Sequence, residues 1–203
     1  MSDPLKPRTL AAFALAAALG ACGGGSNPFG NPSSVENPPG VGGQKLSFAY
    51  FQRCVYPVFQ AQLPIRQGNV SSINTCAGSG CHDTVTGTGG AFRVVPAAQA
   101  VDVLDPAQTP DAIRASDMYK NFYSAQGETV LGSTTQSRLL AKPLLLNVLH
   151  GGGQIFVNAD DPNAKLIEYW ISHPAPMGAD EFSTATYSMF TPADPATGTC
   201  NTQ

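Results

Sequence analysis

Two cysteines and a histidine lie close together in the segment TCAGSGCHDT, residues 75–84. Four residues separate Cys76 from Cys81, and His82 follows Cys81 directly. Such a segment brings two thiols and an imidazole together wherever it lies in the fold. The groups are suited to a disulfide, a metal site or a covalently held cofactor. Each outcome fixes the path of the chain around it, so this segment constrains the structure more than any other.

The N-terminal region has the pattern of an export signal. Lys6 and Arg8 precede the apolar run TLAAFALAAALGAC, which is too short to span a bilayer but suits a secretory signal. The run ends in LGAC, which resembles the lipobox of bacterial lipoproteins. This resemblance implies a signal peptide over residues 1–21, a lipid on Cys22 and a place on the periplasmic side of a bacterial membrane. Gly23 favours the outer membrane. The alternative is an ordinary signal peptide with a chance cysteine.

The segment after the predicted signal is rich in glycine, proline, serine and asparagine over residues 22–43. Such a composition cannot bury enough apolar surface to offset the entropy of ordering, so we expect a flexible, disordered linker. The folded domain is predicted to occupy residues 44–203. The net charge of −3 and the absence of a basic stripe argue against nucleic-acid binding.

Disulfide bonds are the simplest use of the cysteines in an exported protein. If Cys22 carries a lipid, the remaining four can pair in three ways: Cys54, Cys76, Cys81 and Cys200. A disulfide-stapled lipoprotein with no metal is therefore one hypothesis. It leaves the position of His82 unexplained.

Zinc is a second hypothesis for the same segment. A tetrahedral site with two cysteines and two histidines could be formed by Cys76, Cys81, His82 and His150. The adjacent ligands Cys81 and His82 are awkward for one small tetrahedral ion. Thiolates are also readily oxidised in an exported protein.

The segment also resembles the C-x-x-C-H motif at which c-type haem is attached. It differs by two additional residues between the cysteines, as in the minority C-x4-C-H variant. Gly78 and Gly80 can adopt backbone angles that let these residues bulge outward. The resemblance implies that Cys76 and Cys81 form thioethers with the porphyrin and that His82 is the proximal iron ligand.

Helical patterns account for most of the remaining domain. LSFAYFQRCVYPVFQAQLP predicts an amphipathic helix capped by Ser47 and kinked or split at Pro57. TPDAIRASDMYKNFYS and DDPNAKLIEYWIS have a capping residue followed by Pro110 and Pro162, respectively, at the first turn. TTQSRLLAKP predicts a short helix that ends near Pro143. Without a long alternating pattern, the fold class is predicted to be mainly α with long irregular loops.

The order of these segments resembles a family of c-type cytochromes in bacterial exported and membrane-linked proteins. The resemblance rests on YFQRCVYPVFQ, the Cys-His segment followed by GTGGAF, SRLLAKP, a glycine loop and a helix ending in YWI, over about residues 46–172. It implies a cytochrome c-like helical domain and one covalently bound haem c per chain. The implied function is electron transfer between redox partner proteins rather than catalysis. A peroxidase-like haem enzyme or sensor is the alternative within this class.

The second iron ligand is where the sequence departs from that family. Such cytochromes commonly have a methionine-proline loop before the Trp-Ile pair, whereas this sequence has NVLHGGGQIF. The resemblance therefore implies His150 as distal ligand, with Met177 in ISHPAPMGADEF as the alternative; otherwise His150 is a surface residue. Histidine in place of methionine lowers the reduction potential. Under this scheme Cys54 and Cys200 remain, and we expect a disulfide between them.

Overall fold

The computed structural model describes residues 40–203, which include the whole predicted folded domain. The predicted signal peptide, the predicted lipid on Cys22 and most of the predicted linker lie outside the described residues. None of the helices in the described range is long and apolar enough to cross a membrane.

The first helical segment is split just before its proline, as the sequence predicted. It consists of α1 (Phe48–Tyr50), a π-helical turn (Phe51–Val55) and α2 (Tyr56–Gln60). The Ser47 side chain accepts a hydrogen bond from the Tyr50 N–H and caps α1. At the junction the Tyr56 N–H reaches the Phe51 carbonyl, five residues back. Pro57 then lies in the first turn of α2, where its missing N–H leaves no helical hydrogen bond unmade.

A short antiparallel hairpin connects α2 to the Cys-His segment. Strands β1 (Leu63–Gln67) and β2 (Val70–Asn74) pair in register from Leu63 opposite Asn74 to Gln67 opposite Val70. The two-residue turn begins at Gly68, whose φ of +57° lies in the left-handed region that glycine adopts readily. β2 ends two residues before Cys76, so the hairpin leads directly into the predicted site.

The remaining helices are α3 (Pro110–Arg114), α4 (Asp117–Gln126), α5 (Arg138–Leu144) and α6 (Pro162–Ser172). α3 and α6 start where their caps predict, but the helix predicted over TPDAIRASDMYKNFYS is divided into α3 and α4, and Ser116 caps α4. Thr109 accepts a hydrogen bond from the Ala112 N–H at the start of α3, and Asp161 accepts one from the Asn163 N–H at the start of α6. A 3₁₀ helix (Thr184–Met189) leads to the antiparallel pair β3 (Phe190–Thr191) and β4 (Thr199–Cys200).

The prediction of a mainly α, cytochrome c-like helical domain is wrong. About 32% of the described residues are helical, and these residues also form two small antiparallel sheets. Residues 75–109 contain no helix at all. The sequence did not show the first hairpin because β2 is exposed on both faces, and a solvated strand has no alternation of apolar and polar residues.

The core is aromatic and is closed by a disulfide. The Phe51 ring centroid lies 5.3 Å from that of Trp170 and 5.5 Å from that of Phe122. The Trp170 indole N–H donates to the Ser47 carbonyl at 2.9 Å, so the largest core side chain has no unpaired polar atom. The predicted Cys54–Cys200 disulfide is confirmed, and it joins the π-helical turn to β4.

Candidate functional site

A cavity of about 770 Å³ lies between the Cys-His segment, α5 and the loop after α5. Four of the predicted site residues line it together: Cys76, Cys81, His82 and His150. Met177, the alternative distal ligand, does not line this cavity and is 63% exposed. The volume lies within the range of roughly 300–1,000 Å³ typical of ligand and cofactor sites.

The Cys-His segment forms a tight turn that is closed by backbone hydrogen bonds. The His82 N–H donates to the Cys76 carbonyl, and the Cys81 N–H donates to the Gly78 carbonyl, each at 3.0 Å. Gly80 has a φ of +79°, so the additional residues bulge through a left-handed turn. The ends of the motif are thereby brought together although four residues separate the cysteines.

The two thiols of this turn are free. Burial, with a smaller contribution from the neighbouring Cys81 thiol, raises the pKa of the Cys76 thiol to about 12. Cys76 therefore stays neutral near pH 7, unlike the low-pKa cysteines of thiol redox enzymes. Cys76 lacks the electrostatic activation expected of a catalytic thiol.

The backbone fixes the orientation of the His82 ring. His82 Nδ1 lies 3.1 Å from the Phe92 carbonyl oxygen, which can only accept, so Nδ1 carries the proton and Nε2 is left available to a metal. Gly89 packs against the same ring, and a Cβ at that position would collide with it. A histidine held in this way has the second-shell support typical of metal ligands.

Burial also lowers the pKa of His82, although the hydrogen bond to the Phe92 carbonyl opposes this effect. His150 and the cations Arg93 and Lys142 lower the pKa further. The imidazole is therefore neutral near pH 7, which is the form that binds metals.

His150 is held by its own glycine loop. Its Nδ1 donates to the Gly153 carbonyl at 2.7 Å, and the Gly153 N–H donates to the His150 carbonyl at 2.8 Å. A Cβ on Gly152 would lie only 3.2 Å from Cε1 of the ring. The loop thus wraps closely around His150 and leaves Nε2 as the ring nitrogen available to a metal.

The imidazoles of His82 and His150 lie close to each other and both line the cavity. Their ring centroids are 6.1 Å apart, and their planes differ by only 10°. Each ring uses Nδ1 to bind a backbone carbonyl. The structure thus brings together two similarly oriented histidines that are far apart in the sequence.

The rest of the cavity wall is mostly apolar, with two cations from α5 and the carboxylate of Glu128. The apolar part includes Val58, Phe59, Leu63, Phe92, Leu139 and Ile155. Arg138 and Lys142 also line the cavity, and within residues 40–203 their side chains form no ion pair or hydrogen bond. Such a wall suits a flat apolar group that carries acidic substituents.

The structure does not assemble the predicted zinc site. Within the described residues, no group of three or more histidine, cysteine, aspartate or glutamate side chains is placed to hold a metal ion. A tetrahedral zinc site takes three or four ligands from the protein. An iron held in a porphyrin needs only one or two, which two histidines can supply.

The contribution of the first hairpin to the site was missed in the sequence. Gln67 and Asn74 of this hairpin line the cavity, and Arg66 pairs with Gln154 just beyond the His150 loop. One sequence signal could have indicated the hairpin. Gly68-Asn69 lies between two five-residue segments, and a Gly-Asn pair is typical of a tight hairpin turn.

No protein-family model matches the chain, and no significant match appears among curated proteins or solved structures. Function is therefore inferred from the cavity and its residues.

Proposed function

We propose that this protein is a membrane-tethered, monohaem c-type cytochrome that passes single electrons between periplasmic partner proteins. The observation that carries the proposal is the convergence of Cys76, Cys81, His82 and His150 on one cavity. No simpler use of these residues accounts for all four. A disulfide between the cysteines would not require two oriented imidazoles, and a zinc site would require a closer ligand group.

The separation of the histidines fits a shared iron. The ring centroids of His82 and His150 are 6.1 Å apart, which is close enough for both side chains to reach one iron.

Each residue has a distinct role in the proposed site. Cys76 and Cys81 would hold the porphyrin covalently through two thioethers. His82 and His150 would ligate the iron through Nε2, because each Nδ1 is bound to a backbone carbonyl. Arg138 and Lys142 supply positive charge for the carboxylates of the cofactor. When bound, haem supplies a one-electron iron couple.

The presence of His150 favours electron transfer over catalysis. If His150 also bound the iron, the protein would leave no coordination position open to a substrate. The apolar residues of the cavity wall would limit contact between the iron and water. A haem enzyme or sensor would instead need His150 to be displaced.

The location is proposed from the N-terminal sequence. The LGAC lipobox and the composition of residues 22–43 support a lipid anchor on Cys22 followed by a flexible tether. A tether of this kind would keep the haem domain near the membrane while leaving it free to meet periplasmic redox partners. Membrane attachment by two or more acyl chains is firm, whereas one chain binds only reversibly.

The decisive experiment is expression of the full chain in bacteria that carry out c-type haem maturation. We expect haem staining that survives denaturing electrophoresis and a mass increase of one haem. Replacing both Cys76 and Cys81 by serine should abolish the stain, whereas the matched pair Cys54→Ser and Cys200→Ser should retain it. A wild-type protein with no covalent haem and with a Cys76–Cys81 disulfide would refute the proposal.

The distal ligand is tested by the ferric absorption and EPR spectra. We expect a low-spin wild-type spectrum and a high-spin contribution in His150→Ala. Met177→Ala, the matched control on an exposed loop, should keep the wild-type spectrum. A native ferric protein that is high-spin and binds peroxide readily would favour the haem enzyme or sensor.

A further inference from the structure

We infer that the β1–β2 hairpin is a clamp for the distal-ligand loop, and that Gln67 is a positioning residue for His150. This inference rests on the proposed function only in taking His150 as the iron ligand. The clamp itself consists of contacts between β1 and residues 151–154.

The backbone part of the clamp is a pair of reciprocal hydrogen bonds. The Arg66 N–H donates to the Gln154 carbonyl and the Gln154 N–H donates to the Arg66 carbonyl, both at 2.9 Å. This is the bonding of a hydrogen-bonded pair in an antiparallel sheet. The chain that leaves the His150 loop is therefore fixed to β1 as if it were a third strand one residue long.

The side-chain part of the clamp is made by Gln67. Its amide N–H donates to the Gly151 carbonyl at 2.7 Å, and Gly151 follows His150 directly. Gly153 completes the contact, because a Cβ there would collide with the Arg66 carbonyl oxygen. Only glycine allows β1 and the loop to approach so closely.

The chain before His150 is held less closely. The Leu146 N–H still donates to the Ala141 carbonyl at 2.8 Å, but residues 147–149 form no hydrogen bond within the described part of the chain. Leu149 is 92% exposed and so contributes little packing. Asn147 has a positive φ of 53°, a conformation that residues other than glycine adopt at an energetic cost. The contacts after His150, made by β1 and by the Pro143 carbonyl with the Ile155 N–H, are therefore expected to set the position of the ring.

The same hairpin also contacts the proximal half of the site. The Asn74 side-chain carbonyl accepts the Thr75 N–H at 2.8 Å, and its amide approaches Cys81 Sγ at 3.6 Å. One short two-stranded element therefore touches both the Cys-His turn and the His150 loop. This arrangement couples the position of the distal ligand to that of the attachment site.

The test is the replacement Gln67→Met in the haem-loaded full chain. Methionine keeps the length of the side chain but cannot donate to the Gly151 carbonyl. Loss of one hydrogen bond should make ferric cyanide binding, which displaces His150, faster by roughly two- to tenfold. The matched control is Gln99→Met, which removes a similar exposed bond to the Ala97 carbonyl. Equal cyanide rates in the two variants would overturn the clamp.

A second measurement separates failure of the clamp from failure of the proposed function. In Gln67→Met we expect faster hydrogen exchange at the Arg66 and Gln154 amides, with unchanged exchange in α6, whether or not haem is attached. If the wild-type chain carries no haem but Gln67→Met still speeds exchange at these two amides, the clamp stands and the cytochrome is refuted. If the chain carries haem but Gln67→Met leaves this exchange unchanged, the clamp is refuted and the cytochrome stands.

Discussion

The aromatic core and the cavity wall are built on different physical principles. The aromatic core consists of Phe48, Phe51, Phe122 and Trp170, which are at most 1% exposed and contact one another ring to ring. The part of the cavity wall that carries the candidate iron ligands consists of the Cys-His turn and the glycine loop of His150. It is held by backbone hydrogen bonds and by glycines whose missing Cβ atoms make room for imidazoles and carbonyls.

This difference separates stability from ligand geometry. Burial of aromatic surface is large and non-directional, so the aromatic core should dominate the free energy of unfolding. Backbone hydrogen bonds contribute less each but depend strongly on angle, so they can fix the direction of a ring. Changes in the aromatic core should therefore lower stability, whereas changes in the cavity wall should alter the proposed iron site.

The largest expected effect is that of Trp170→Ala. Trp170 is fully buried, and its removal should lower the free energy of unfolding by about 3–5 kcal/mol, measured by chemical denaturation. Val85→Ala, at a position that is 87% exposed, should change it by less than about 0.5 kcal/mol. Under native conditions the low-spin spectrum of Trp170→Ala should remain. Loss of that spectrum while the protein is still folded would show that the aromatic core also determines the geometry of the proposed iron site.

The second largest loss of stability is expected when the Cys54–Cys200 disulfide is removed. Cys54→Ala with Cys200→Ala opens a cross-link between residues 146 apart in sequence, and removal of such bonds typically lowers stability by about 2–5 kcal/mol. Each single variant should lose nearly as much as the double variant, since either change breaks the same bond. Additive losses in the singles would mean that packing of the cysteines, rather than the cross-link, is responsible. Denaturation under oxidising conditions distinguishes these outcomes.

The elements that the sequence predicted are those with local signals. Thr109 with Pro110, and Asp161 with Pro162, specify the starts of α3 and α6 through capping bonds that involve only neighbouring residues. Pro57 likewise predicted a split helix. The Cys54–Cys200 pairing was also predicted, but by elimination once the other cysteines were assigned to a cofactor.

The remaining features depend on contacts between distant residues. The pairing of Arg66 with Gln154 joins segments that share no pattern, and it could not be found from periodicity. The fold class was mispredicted because the strands of the two small sheets are short and β2 is exposed on both faces, so no alternating pattern indicates them. For the site, the sequence indicated the residue types around His82 and His150 but not the carbonyls that orient their rings.

Gly153→Ala tests the cavity wall directly. The residue has a φ of +76°, and its new methyl group would collide with the Arg66 carbonyl oxygen, so we expect a loss of about 1–3 kcal/mol in unfolding free energy. The loop should move away from β1, and a high-spin fraction should appear in the ferric spectrum. Gly42→Ala, at a position with open space and no positive φ, is the matched control. A fully low-spin Gly153→Ala would show that the position of His150 does not depend on this close approach.

The smallest expected effect comes from Glu181, the one carboxylate that is buried within residues 40–203. Burial raises the pKa of Glu181, but hydrogen bonds from its own backbone N–H, Arg114 and Tyr119 outweigh it, so the pKa lies below its ordinary value of 4.5. A lowered pKa gives stability that is present above about pH 4.5 and is lost as the pH falls through the folded-state value. Glu181→Gln should therefore lower stability by about 1 kcal/mol at pH 7, since Arg114 is partly solvated, and the difference from wild type should shrink below pH 4.5.

Asp117→Asn, which breaks an exposed pair with Lys120, should change stability by less than about 0.5 kcal/mol. Both variants are compared by chemical denaturation between pH 3 and 7. Equal losses of unfolding free energy would mean that Glu181 contributes no more than a surface charge. The aromatic core would then be stabilised by burial alone.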